Sequence, residues 1–154
     1  MSTYTATIRW SRNPSTDFDK GQYSRAHEWV FDGGAVVPAS SNPHTVRPPW
    51  SDEHGVDPEE AFVASLSSCH MLFFVDFARR DGWLVDSYVD EAEGVLNRRA
   101  DGRMAMTRVT LRPRVTWGGG TPDASTIADL HHRAHEACFI ANSVTTDVII
   151  QPSS

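Results

Sequence analysis

Cysteine is scarce in this chain, with two thiols, Cys69 and Cys138, in 154 residues. Two distant cysteines with no export signal ahead of them point to catalysis, redox exchange or plain packing rather than to a disulfide scaffold. Dense Lys/Arg runs are missing as well, and the formal net charge is −6. That balance argues against a nucleic-acid or anionic-membrane partner. Residues 1–10 have no basic stretch followed by an apolar one, and the longest apolar segment is broken by Ser65, Ser67, Ser68, His70 and Asp76. Neither a signal peptide nor a transmembrane span is therefore expected, and the expected location is the cytoplasm. The chain has no phosphate loop, dinucleotide fingerprint, G-x-S-x-G elbow, internal repeat or low-complexity tract, so no cofactor is called for. Its length and apolar content fit one domain with a real core, spanning 1–154.

That apolar segment, residues 57–80 (DPEEAFVASLSSCHMLFFVDFARR), reads as a helix with its start signal written out. Asp57 can cap, Pro58 suits the first helical position, and Glu60 stands where a capping-box acid reaches back. Phe62, Leu66, Cys69 and Phe73 recur at helical spacing, with small or apolar residues on both flanks. A helix apolar nearly all round belongs in a core. At about 1.5 Å per residue it runs roughly 35 Å, a great deal for one small domain to cover. A second copy of the chain would help to bury it.

Strands are expected over residues 3–10, 27–31 and 35–38, the last two forming a hairpin about Gly33 and Gly34. The proline-rich stretch 40–56 is a loop that delivers Arg47 and Trp50 just ahead of the helix, where a site wall can form. Beyond the helix, strands are expected over 84–96 and 104–117, the second kinked at Pro113 with Arg112 and Arg114 on its wet face. A second, amphipathic helix over 121–138 would be capped by Thr121, a last strand would cover 144–150, and 152–154 would fray. The order of strands, helix, strands, helix and strand is that of an α+β fold.

Cys69 in an apolar helix is a small buried hydrophobe unless a cation or hydrogen-bond donor lies beside it. Arg47 and Arg25 are the candidate cations. Glu59 lies ten residues before Cys69, about 15 Å along one helix axis, so it cannot act on its own chain's thiol. It could do so only from a second copy whose helix runs antiparallel, in an isologous pairing. Otherwise it is a first-turn acid favoured by the helix dipole. Cys138 reads either as a structural residue or as a resolving thiol. His131, His135 and Cys138 fall at i, i+4 and i+7 on one helical face, a metal-ligand spacing without a fourth ligand in view, and no metal is assigned.

Asp57-Pro58-Glu59-Glu60, with Cys69 ten residues after Glu59 in SLSSCHMLFF, and the later HEACFIANSV resemble the OsmC/Ohr family of osmotically inducible and organic hydroperoxide resistance proteins. The resemblance runs along nearly the whole chain. It implies antiparallel sheets wrapped around a long central helix in an intertwined homodimer, with two sites at the interface. It further implies an antioxidant thiol peroxidase of the stress response. Cys69 would attack the organic hydroperoxide and become a sulfenic acid, Cys138 would close a disulfide, and Glu59 and an arginine would organise the site. A lipoyl-type or thioredoxin-like dithiol would then reduce the disulfide. Trp50, Phe62 and Phe73 would wall the substrate.

The arginine falls to Arg47 by the pattern of one branch of the family and to Arg25 by that of the other, and Arg47 is preferred. Pro49, His70 and Phe139 depart from the family pattern and place the chain in a divergent OsmC-like branch. The rival reading is a small-ligand-binding protein on the same dimer scaffold.

Overall fold

The computed structural model describes residues 1–152, so the end expected to fray lies, at Ser153 and Ser154, outside the described residues. The chain forms two compact units, Met1–Ala61 and Phe62–Ser154.

The first unit is built on a three-stranded antiparallel sheet of β1 (Ala6–Arg9), β2 (His27–Phe31) and β3 (Val36–Ala39), in the order β1-β2-β3. The β2–β3 hairpin turns at Gly34, whose φ of 87° is a left-handed conformation that costs glycine little. The loop after β3 is tied down at its ends, with Ser40 N–H donating to Val56 O at 3.1 Å and Val56 N–H to Pro38 O at 2.9 Å. Gly55 is required there, since a Cβ would stand 2.9 Å from the Ala39 carbonyl carbon. The unit ends on the first turn of α1 (Pro58–Arg80). Here the capping box forms as expected: Glu60 N–H donates to Asp57 Oδ1 at 2.8 Å and Asp57 N–H to Glu60 Oε2 at 3.1 Å.

The second unit carries the rest of α1. Its inward line is Leu66, His70, Phe74 and Ala78, spaced by four residues. This corrects the expected line of Phe62, Leu66, Cys69 and Phe73, in which only Leu66 is fully buried. The opposite side, with Ala64, Ser68, Leu72 and Val75, is exposed, Leu72 at 63%. With 23 residues and a mean hydropathy of 1.5 across its most apolar window, α1 is long and apolar enough to cross a membrane by composition alone. In this unit it packs on protein along its inward line.

The two long strands expected after α1 each divide. Leu84–Asp90 (β4) pairs with Pro113–Gly118 (β7), while Glu93–Arg98 (β5) pairs with Met104–Leu111 (β6) in a different sheet. In the second expected strand polar and apolar residues alternate from Val109 through Trp117, across the break at Arg112, so sequence pattern alone does not reveal it. Asp90 makes the corner by accepting from the Arg112 N–H at 2.6 Å and from the Ser67 hydroxyl. Arg114 is exposed as expected, whereas Arg112 is half-buried and pairs with Glu93 at 3.2 Å.

Helix α2 (Ala124–Ala137) is capped by Asp123, which accepts from Thr126 N–H at 2.7 Å, rather than by Thr121. The final strand β8 (Asp147–Ile150) runs parallel to β6, an exception to the antiparallel sheets expected. One core cluster joins Phe74 and Ala78 of α1 to Leu130 and Ala134 of α2, and another joins Leu66 to Val109 and Leu111 of β6. Gly94 lets β5 approach α1, because a Cβ there would meet Val63 Cγ2 at 2.5 Å and the flexible end of Met106 at 2.4 Å.

Candidate functional site

Both cysteines lie in the second unit and both are free thiols. Cys69 is half-buried on α1, one residue before the inward-facing His70. Cys138 is the C-cap of α2, where the helix stops and the backbone turns extended (φ −66°, ψ 109°). Its sulfur accepts from Ala141 N–H at 3.4 Å, and its carbonyl accepts from Asn142 N–H at 3.0 Å. These bonds fold 138–143 into a tight turn that holds the thiol inward, 1% exposed. Burial pushes the Cys138 thiol up to about 11, and the neighbouring Cys69 thiol pushes the same way, against the Ala141 N–H. Sequence-distant thiols have thus been brought together, with Cys138 kept protonated at neutral pH.

Aromatic rings flank the pair. Phe73, one turn beyond Cys69, meets Phe139, the residue after Cys138, edge to face at 5.1 Å between ring centres. Phe139 is exposed, and Phe62 packs instead against the core cluster around Leu66.

On the same two helices, His70, directly after Cys69, and His131, two turns before Cys138, form a pair that sequence reading missed. The rings stack at 8°, with 3.0 Å between His70 Nε2 and His131 Nδ1. Burial holds His70 down at about 3, with His131 and His135 adding to the effect, and burial holds His131 at about 4, so both are neutral at pH 7. A signal was present: His70 interrupts an apolar line between Leu66 and Phe74, and a buried polar group needs a partner. The metal spacing of His131, His135 and Cys138 does not become a metal centre, for no three His, Cys, Asp or Glu among the described residues converge on one. His131 is turned to His70, and Cys138 to Cys69.

In the first unit a cavity of about 430 Å³ is lined by Ile8, Trp10, Phe18, Tyr23, Arg25 and Pro58, among others. Trp10, Phe18 and Tyr23 are in mutual ring contact. Arg25 lies over the Tyr23 ring at 3.7 Å and donates to Gly21 O at 2.7 Å and Tyr23 O at 2.6 Å. Its guanidinium is therefore held rigidly at an aromatic wall. Arg47, the preferred candidate, is exposed and makes no side-chain hydrogen bond or ion pair among the described residues. Trp50 is half-buried outside that cavity, its carbonyl accepting from Arg25 N–H at 2.9 Å. Glu59, half-buried on the first turn of α1, has no side-chain partner among the described residues and directly follows Pro58 of the cavity wall.

The family model described as OsmC-like protein matches residues 51–153. Among solved structures, the chain is similar to an OsmC-like protein of unknown function from Vibrio cholerae, at 49% identity and a TM-score of 0.97, covering 99% of this chain and 100% of that one. It is also similar to the organic hydroperoxide resistance protein OhrB of Bacillus subtilis, at 20% identity and a TM-score of 0.71, covering 99% and 98%. An organic hydroperoxide resistance protein from Legionella pneumophila aligns over the full length of both chains at 15% identity and a TM-score of 0.72. No curated protein sequence matches it.

Proposed function

The chain belongs to the OsmC-like family, and on that premise we propose that it is a thiol-dependent peroxidase that reduces organic hydroperoxides to alcohols. The observation that carries this reading is that two free thiols, Cys138 and Cys69, lie close enough for one to shift the titration of the other. Cys69, the less buried of the two, takes the distal peroxide oxygen as its thiolate and becomes a sulfenic acid, and the leaving alkoxide takes up the proton that the thiol gave up. Cys138 attacks that sulfenic sulfur and water departs, leaving the Cys69–Cys138 disulfide. A dithiol of lipoyl or thioredoxin type reduces it by exchange.

Activation of Cys69 needs a cation and an orienting acid. Glu59 and an arginine of a second copy supply them, in a cytoplasmic homodimer that covers the exposed side of α1. Of the two arginines, Arg25 is favoured over Arg47, because it is clamped at an apolar cavity whose wall includes Pro58, the neighbour of Glu59. Trp50, Phe62 and Phe73 remain the apolar residues proposed from the sequence to face the organic group. Residues 1–154 work as one OsmC-like domain, with no metal and no cofactor in the chemistry.

Free thiols are counted before and after one equivalent of cumene hydroperoxide, in wild type, Cys69→Ser and Cys138→Ser. Loss of both thiols in wild type, with a stable sulfenate in Cys138→Ser, supports the two-cysteine peroxidase. Survival of both thiols in excess peroxide refutes it and moves the search to a ligand for the cavity around Arg25.

A further inference from the structure

The buried His70–His131 pair takes no part in the chemistry above, yet it sits in the same seam between α1 and α2 as the thiols. His70 directly follows Cys69, and His131 lies seven residues, about 10 Å, before Cys138 on α2. Their surroundings are apolar: Phe74 stacks on His131 at 4.3 Å, and Ala78, Leu130 and Ala134 complete the cluster. Apolar burial has no direction, and contacts between alanines let one helix slip along another. A ring-to-ring hydrogen bond at 3.0 Å does have direction.

The pair also carries a cost. Two neutral imidazoles hold two N–H groups, of which one makes the shared bond. His70 Nδ1 and His131 Nε2 are left over, both buried and both without a partner among the described residues, so one N–H and one lone pair go unmet. An apolar pair of the same shape would avoid this penalty. A bond that costs stability and adds direction is suited to setting geometry.

We propose that the His70–His131 pair is a positioning device, which fixes where α2 lies along α1 and so holds Cys138 against Cys69 for disulfide closure. This rests on the two-cysteine reading above. The step it serves is Cys69–SOH plus Cys138–SH giving the disulfide and water, and that step needs the two Cα atoms within about 4.4–6.8 Å. An error of an ångström at the helix seam is therefore felt at the sulfurs.

The test separates two rates after one equivalent of cumene hydroperoxide: sulfenate formation, followed by dimedone trapping, and disulfide closure, followed by loss of the second thiol. In His70→Phe and in His131→Phe, sulfenate forms at close to the wild-type rate while closure slows about ten- to a hundredfold. Trapped sulfenate and sulfinate then accumulate. His70→Gln, whose amide nitrogen stands where Nε2 stood, recovers most of the closure rate. Closure at the wild-type rate in both Phe variants overturns the proposal, as does an equal fall of both rates. If neither Phe variant folds, His70→Leu in a background with His131→Leu, which leaves no orphaned polar atom, supplies the same comparison. Diamide, which closes dithiols without peroxide, keeps the two readings apart. A wild type closed by diamide and not by peroxide fails as a peroxidase, and the variants' diamide closure rates still decide the role of the pair.

Discussion

The Cys138 thiol lies beside Cys69 while its own backbone ends helix α2, so one residue both stops a helix and faces the central one. Burial, and then the neighbouring Cys69 thiol, raise its pKa to about 11. Iodoacetamide at pH 8 should therefore label one thiol per folded chain, at Cys69, and reach Cys138 only in denaturant. Stability should follow the same asymmetry. Unfolded Cys138 loses its proton near 9.0 and the folded thiol keeps it to about 11, so stability present below pH 9 is lost as pH rises between those values. Each unit is worth about 1.4 kcal/mol. Urea unfolding of wild type and Cys138→Ala across this window checks it, and equal pH slopes for the two would contradict it.

Acid should act on the histidine pair. Folded His70 and His131 titrate at about 3 and about 4, below the ordinary 6.5, chiefly through burial. The unfolded chain takes up these protons first, so the stability present above pH 6.5 is lost progressively as pH falls toward 4 and then 3. The melting temperature should drop steeply below pH 6, and the drop should be much shallower in a His70→Leu/His131→Leu double variant. Matching acid profiles would show that other groups carry the effect.

The exposed side of α1 yields a test of the dimer. Leu72 is 63% exposed, and Val75 lies on the same side. In the proposed assembly a second copy covers this stripe, and Leu72→Asp would bury an unpaired charge there at a cost of several kcal/mol. Light scattering should report a dimer for wild type and a monomer for Leu72→Asp, with unchanged circular dichroism and lost peroxidase activity. A dimeric, active Leu72→Asp would refute the placement of the interface.

The capping box at the head of α1 has a size that can be anticipated. Asp57 is buried and accepts from Glu60 N–H at 2.8 Å, with Glu60 returning the bond at 3.1 Å. Asp57→Ala should lower stability by about 1–2 kcal/mol, since the Glu60 N–H loses its acceptor at the start of the helix. Glu60→Ala, at an exposed position, should cost less than Asp57→Ala. Denaturant midpoints at unchanged slope measure both.

Local signals were the ones legible in advance. The Asp57 capping box, the Gly34 turn and the extent of α1 rest on neighbours within a few residues, and they stand where sequence reading put them. Long-range choices were hidden. The corner at Asp90 depends on a bond to Arg112, twenty-two residues away, and around Arg112 the alternation of polar and apolar residues runs on unbroken. Parallel pairing of β8 with β6 leaves no local mark at all. Asp123 and Thr121 are both good cap types, and the helix starts at Asp123.

By itself the sequence determined the α+β order and the long apolar helix that carries Cys69, because helix capping and periodicity are read from adjacent residues. Tertiary structure decided which groups meet. It paired Cys138 with Cys69 and His131 with His70, and it set Arg25 rather than Arg47 at an aromatic cavity. The reason is that three histidine and cysteine side chains on one helical face share a spacing, while their partners are chosen by the element packed against that face.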